Sequence, residues 1–149
     1  MMMSLTRRVA LTLGSAAVLA GAGGGVAAAD PGPAPTCAQK LAADLAAEFP
    51  TVTVGADAVP TSILPEHVDG RALDVMIPDY QNPDQITLGN NVVARVHALA
   101  ADGRYPVEYT VWRQEYAVPG QPAQRMEDRG SATQNHDDHV HITLREVTC

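Results

Sequence analysis

Three of the chain's five histidines fall close together near its C-terminus, in the stretch Asn135, His136, Asp137, Asp138, His139, Val140, His141, Ile142. The alternation of Val140, Ile142 and Leu144 predicts a β-strand, which puts His139 and His141 two apart on one face, where they can share a metal ion. Imidazole is the commonest protein ligand for zinc. A hydrolytic zinc takes three protein ligands and keeps a further position open, so other groups must come from elsewhere in the chain. The best source is His67, Val68, Asp69, Gly70, Arg71, Ala72, Leu73, Asp74. A histidine, a glycine turn and an aspartate on an apolar run would let a loop leading into a strand bring an imidazole and a carboxylate to one point. Within Ala72 to Ile77 the strand pattern places Ala72, Asp74 and Met76 on one face and Leu73, Val75 and Ile77 on the other. Asp74 thus leaves the core face, and small Ala72 beside it leaves room for an ion or a substrate.

Taken together, the two stretches resemble the zinc D-alanyl-D-alanine peptidases that share a fold with the Hedgehog signalling domain, a group that includes the penicillin-insensitive murein endopeptidases. That family's pattern is S-x-H-x-x-G-x-A-x-D followed much later by H-x-x-H-x-H. Here the first is met by His67, Gly70, Ala72 and Asp74, with Pro65 where serine is usual, and the second by His136, His139 and His141. The likeness extends over most of Cys37 to Thr148, and VEYTVWRQ and MEDRGSATQNHDDHVHI look like a secreted actinobacterial subgroup. Because the replaced serine is not a metal ligand in the family, Pro65 bears on local substrate contacts rather than on zinc.

The resemblance implies an α+β fold, a central and mainly antiparallel sheet with helices packed on one face. It also implies a Zn²⁺ ion held by His67, Asp74 and His141, and hydrolysis of an amide bond in peptides that contain D-amino acids, such as peptidoglycan stems or cross-links. Two residues are candidates for the base that takes a proton from water: His139, on the strand face of His141, and Asp138, where the carboxypeptidase branch has a glutamate. Strand parity aims Asp138 away from the metal and favours His139. His136 matches a position that stabilises the oxyanion or the leaving amine in the endopeptidase branch, and Asp137 and Asp138 could instead orient the imidazoles. By the same analogy Trp112 and Arg113 lie beside the site, with Arg113 as a forked donor to a substrate carboxylate or carbonyl. The competing assignment makes Trp112 core and Arg113 a surface ion-pair partner.

The elements that must position these groups follow from periodicity and punctuation. Thr36 caps a predicted helix, with Gln39 completing a capping box and Cys37, Leu41, Leu45 and Phe49 along one stripe. Pro50 ends it. Thr51 to Gly55 reads as a short strand, residues 56–66 and Pro78 to Gln85 as loops. Asn90 or Asn91 opens a second helix with Val92, Val93, Val96 and Leu99 on its apolar face, closed by Gly103. His97 falls off that face, which predicts a solvated surface histidine. Val107, Tyr109 and Val111 alternate with Glu108, Thr110 and Trp112 as a half-buried strand. Residues 117–135, with Pro119, Gly120, Pro122 and Gly130, read as a long loop beside the metal stretch, and loops of that length tend to shape binding sites.

Residues 1–29 read as an export signal: Arg7 and Arg8, an apolar run from Val9 to Ala20, and a small-residue cleavage pattern ending in Ala27, Ala28 and Ala29. The alternative, a membrane anchor, needs a longer apolar span of roughly 18 to 20 residues. Thr6, Arg7 and Arg8 partly match a twin-arginine signal, and no cysteine follows the run to accept a lipid. A Pro-rich spacer, residues 30–36, would precede one domain, residues 37–149. That mature part holds eight basic and all 17 acidic residues, a net charge of −9. An acidic surface argues against nucleic acid as a partner and is compatible with a soluble monomer acting on a peptide. Cys37 and Cys149 bracket the domain, and in an exported protein such a pair predicts a disulfide contributing on the order of 4 kcal/mol. Thiolate ligation of zinc would require short partner spacing that neither cysteine has. Two non-enzymatic alternatives also fit the residues: a structural zinc in a cell-wall protein, and a disulfide-stabilised binding module whose histidines hold no metal.

Overall fold

The computed structural model describes residues 34–56 and 64–149. The predicted export signal, the start of the spacer and most of the predicted 56–66 loop lie outside the described residues. The elements run α1 (Cys37–Glu48), β1 (Thr53–Gly55), α2 (Pro65–Val68), β2 (Ala72–Met76), α3 (Pro83–Ala101), β3 (Val107–Trp112), β4 (Glu115–Ala117), β5 (Gln124–Arg125) and β6 (His139–Leu144). The strands form one sheet in the order β1-β2-β6-β3-β4-β5, antiparallel at every step. The fold is α+β, as expected.

Helix α1 starts where the capping box predicts. Thr36 Oγ1 accepts from the Gln39 backbone N–H at 3.2 Å, and Gln39 Oε1 accepts from the Thr36 N–H at 2.9 Å. Its buried stripe of Cys37, Ala38, Leu41 and Leu45 meets Leu73, Val75, Val140, Ile142 and Leu144 of the sheet, together with Val92, Val96 and Leu99 of α3. Burying a side chain such as Leu or Ile fully contributes about 1.5–3 kcal/mol, so this layer is where most of the fold's stability resides. The second long helix begins well before Asn90. Asn82 caps it, its Oδ1 accepting from the Asp84 N–H at 3.0 Å, and Pro83 occupies the first turn. The Pro, Asp and Asn content of this region, which suggests a loop, is the chemistry of a helix N-terminus.

Two pairings decide what faces the core. Between β2 and β6, Leu73 lies opposite Ile142 and Val75 opposite Val140, whereas Ala72, Asp74 and Met76 lie opposite Thr143, His141 and His139 on the other face. Between β3 and β6 the register shifts between Val107 and Tyr109. This bulge changes the parity of β3. Val107 packs in the core with Trp112, while Tyr109 and Val111 pair with Thr143 and His141 on the opposite face. Simple alternation along β3, which puts Val107, Tyr109 and Val111 together, is corrected accordingly.

The loop expected over residues 117–135 carries the end of β4 and the two-residue β5. It is tied down by hydrogen bonds from the Met126 N–H to the Gln114 carbonyl and from the Asn135 N–H to the Ser131 carbonyl. Cys37 and Cys149 form the predicted disulfide, with Cα atoms 5.4 Å apart. Among the described residues no helix is long and apolar enough to cross a membrane.

Candidate metal centre

Three elements converge on the sheet face opposite α1 and α3. Antiparallel pairing sets Asp74 of β2 directly across from His141 of β6, so that the His141 Nδ1 lies 2.9 Å from Asp74 Oδ1. His67 comes from α2, a single helical turn and not the loop its neighbours suggest. Gly70 just beyond it, at φ +71°, reverses the chain into β2. That turn brings His67 Nε2 to 3.4 Å from Asp74 Oδ2, and the His67 and His141 rings to 5.0 Å between centroids. One ligand atom from each of His67, Asp74 and His141 falls within 4.8 Å of the others.

These residues fit a zinc ion. Ligands at about 2.0–2.1 Å in a tetrahedral shell lie roughly 3.3 Å from one another, close to the 2.9 and 3.4 Å that separate His141 and His67 from the Asp74 carboxylate, and two imidazoles with one carboxylate are a donor set of hydrolytic zinc. His67 and His141 are buried while Asp74 is half-buried, so the cluster opens on one side. Burial lowers the His67 pKa, favouring the neutral imidazole that a metal requires. Burial alone would raise the Asp74 pKa. The hydrogen bond from His141 and the charges of His141, His139 and His67 outweigh it and hold the carboxyl below its usual range.

His139 stands one step outside this trio. Its Nδ1 is 2.7 Å from Asp138 Oδ1 and its Nε2 is 3.8 Å from Asp74 Oδ1. Asp138, just before the strand, thus holds His139. Its other oxygen accepts from the Thr133 hydroxyl at 2.7 Å. Burial opposes ionisation of Asp138, but the hydrogen bonds from His139 and Thr133 and the charge of His139 keep its pKa below the ordinary value. His136 is buried and left-handed at φ +55°, its ring 4.8 Å from that of His139 and 5.5 Å from that of His141. Burial first, then the charges of His139 and His141, push its pKa down to about 4. The His136 Nδ1 is buried without a hydrogen-bond partner. Asp137 lines a separate depression with Arg113.

Trp112 is not brought to this cluster. The bulge in β3 turns it to the helix face, where its Nε1 donates to Asn90 Oδ1 at 3.0 Å and its ring packs against Gly89. Arg113 lies beside that ring, its guanidinium carbon 6.0 Å from the centroid. Its backbone does serve the site. Arg113 and Gln114 form a two-residue hairpin turn, both at positive φ, whose N–H groups donate to the carbonyls of His136 and Asn135 at 2.8 and 2.9 Å. The strained turn and the left-handed histidine therefore fix one another. His97 is half-buried against the sheet, its Nε2 2.9 Å from Thr110 Oγ1, so the solvated placement does not hold.

Several residues of the site do not stand out in the motif pattern. Thr143 is fully buried and its Oγ1 lies 3.0 Å from His141 Nε2. Its position two residues after His141 on the same strand is the signal that could have found it. Tyr109, Val111, Tyr116 and Met126 line an adjoining hollow of about 240 Å³, and Arg129 borders both this hollow and the roughly 360 Å³ cavity over the histidines.

Fold and site together define an α+β domain with a His/Asp/His cluster able to hold a metal ion. By sequence, the chain belongs to the family described as VldE, C-terminal domain, whose model matches residues 32–137. The matched span includes His67, Asp74, Arg129 and His136 and stops short of His139 and His141. No curated protein and no solved structure matches the chain.

Proposed function

We propose that this chain is an exported zinc peptidase that hydrolyses an amide bond in D-amino-acid-containing peptides, with peptidoglycan stems or cross-links as substrate. The observation that carries the reading is the joining of His67, Asp74 and His141 within 4.8 Å on an open sheet face, with a third and a fourth imidazole, His139 and His136, around them. A purely structural zinc site closes its coordination shell with four protein ligands, whereas three ligands beside a cavity favour a hydrolytic ion. The motif resemblance supplies the substrate class, and the leader with its small-residue cleavage pattern supplies the extracytoplasmic location.

His67 Nε2, an Asp74 carboxylate oxygen and His141 Nδ1 would hold the ion. Bound there, zinc supplies a Lewis acid that polarises an amide carbonyl and makes water acidic enough to be deprotonated near neutral pH. His139 is the proton acceptor. Its Nδ1–H is held by the Asp138 carboxylate, which leaves Nε2 with its lone pair toward Asp74 and the cavity, and the imidazolium that forms is stabilised by the same carboxylate. His136 is neutral at pH 7, so it acts as a hydrogen-bonding group toward the developing oxyanion or the leaving amine and not as a cation. The hairpin clamp on its backbone keeps it in place. Neither nucleic acid nor a stable membrane anchor enters this scheme, and a monomer suffices for it.

The test is incubation of the zinc-loaded chain with purified muropeptides, following new amine termini with and without chelator. Release of amines that stops on chelation is the expected result. A chain that holds zinc yet releases none would reduce the site to a structural or binding role.

A further inference from the structure

Arg129 holds a position that the motif pattern does not mark. It borders both the cavity over the histidines and the hollow lined by Tyr109, Val111, Tyr116 and Met126. Its backbone is fixed: the Arg129 N–H donates to Asn135 Oδ1 at 2.7 Å, and Asn135 Nδ2 donates to Asp128 Oδ1 at 2.8 Å. Asp128, the nearest acid in sequence, also accepts from the Gly130 N–H. The Arg129 guanidinium itself makes no hydrogen bond or ion pair among the described residues. Arg71, Arg95 and Arg104, by contrast, each meet a carboxylate.

Charge strengthens the case. Among the described residues lining the two spaces, Asp74 is the only acid and Arg129 the only permanent cation. A divalent ion on Asp74 would leave the mouth of the site clearly positive, on a domain whose overall balance is strongly acidic. A planar guanidinium with no partner among the described residues, on a residue that lines such an opening, is matched by a carboxylate, which it meets with two parallel hydrogen bonds.

We infer that Arg129 binds a free carboxylate of the substrate and that the site acts on peptides ending close to the cleaved bond, the tyrosine-lined hollow taking the small apolar side chain beside it. The inference rests on the peptidase reading for the identity of the ligand. The role that analogy gives Arg113 passes to Arg129, because Arg113 lies along Trp112 outside both spaces.

The experiment has two arms on the zinc-loaded chain and its Arg129→Gln variant, a substitution at an exposed residue. One compares hydrolysis of N-acetyl-D-alanyl-D-alanine with that of its C-terminal carboxamide. The other follows binding of N-acetyl-D-alanine and its carboxamide by chemical-shift titration, which needs no turnover. The acid should be preferred by about 10- to 100-fold in the unaltered chain. Arg129→Gln should lose that preference with zinc content unchanged. Acid and amide titrating alike, or a variant that keeps the preference, would overturn the role of Arg129 whether or not peptide is cut. A charge-dependent titration without cleavage of either peptide would instead sustain Arg129 and remove the peptidase reading.

Discussion

At the scale of single residues, the site is organised by what holds each imidazole. His141 has both ring nitrogens engaged, Nδ1 toward Asp74 and Nε2 toward Thr143, so the hydroxyl at position 143 fixes the ring with Nδ1 as the ligand atom. Tyr109 pairs with Thr143 across the sheet, and its hydroxyl donates to Glu66 Oε1 at 3.5 Å. Partners of this kind typically set metal affinity by 10- to 100-fold. Thr143→Val, which keeps the shape and removes the hydroxyl, should weaken zinc binding by about that factor, as measured by competition with a chromophoric chelator. Thr143→Ser should bind as the unaltered chain does. Equal affinity in all three would show that Thr143 has no part in holding His141.

At the scale of elements, the sheet delivers the site and the helices hold the sheet. Trp112 links the two, filling the space that Gly89 leaves on α3. A Cβ at position 89 would overlap the six-membered ring of Trp112, so the buried ring or the helix would have to shift. Gly89→Ala should therefore destabilise the fold by roughly 1–3 kcal/mol in urea unfolding; a neutral result would mean that α3 can slide over the sheet. Elements with local chemistry were legible in the sequence. The Thr36/Gln39 box marked the start of α1, and the alternation in β2 and β6 assigned the faces of Asp74, His139 and His141. What escaped depends on pairing. The bulge in β3 is set by its register with β6, a non-local fact, and it alone moves Trp112 to the core and Tyr109 to the site. Asn82 and Pro83 looked like a loop because the residues that cap a helix are those that make turns. Arg129 was hidden for a related reason: its place depends on a loop tied by Asn135, not on any periodic pattern.

At the scale of the whole molecule, the disulfide and the protonation of buried histidines govern the stability of the metal-free chain. The Cys37–Cys149 bridge closes nearly the entire domain, and the Cys37 N–H also donates to the Val147 carbonyl, so both ends of the fold are tied to one edge of α1. Burial lowers the pKa of His67, His97 and His136. A histidine whose folded pKa lies below its unfolded value binds fewer protons when folded, so stability falls as pH drops through that window. For His136 the window runs from about 6.5 to about 4, a loss of about 3 kcal/mol. Urea midpoints of the metal-free chain should decline across this range, and His136→Asn, which tolerates the left-handed backbone, should flatten the decline. An unchanged slope would mean that His136 is not buried in the neutral form.

The central claim is that His67, Asp74 and His141 hold one divalent ion, with His139 and His136 beside it but not bound to it. Zinc content after gentle purification and dialysis, read by plasma mass spectrometry, tests this most directly. The expected pattern is about one zinc per chain, lost on His67→Ala, Asp74→Ala or His141→Ala and kept on His139→Ala and His136→Ala. Full retention of zinc by Asp74→Ala or His141→Ala would contradict it.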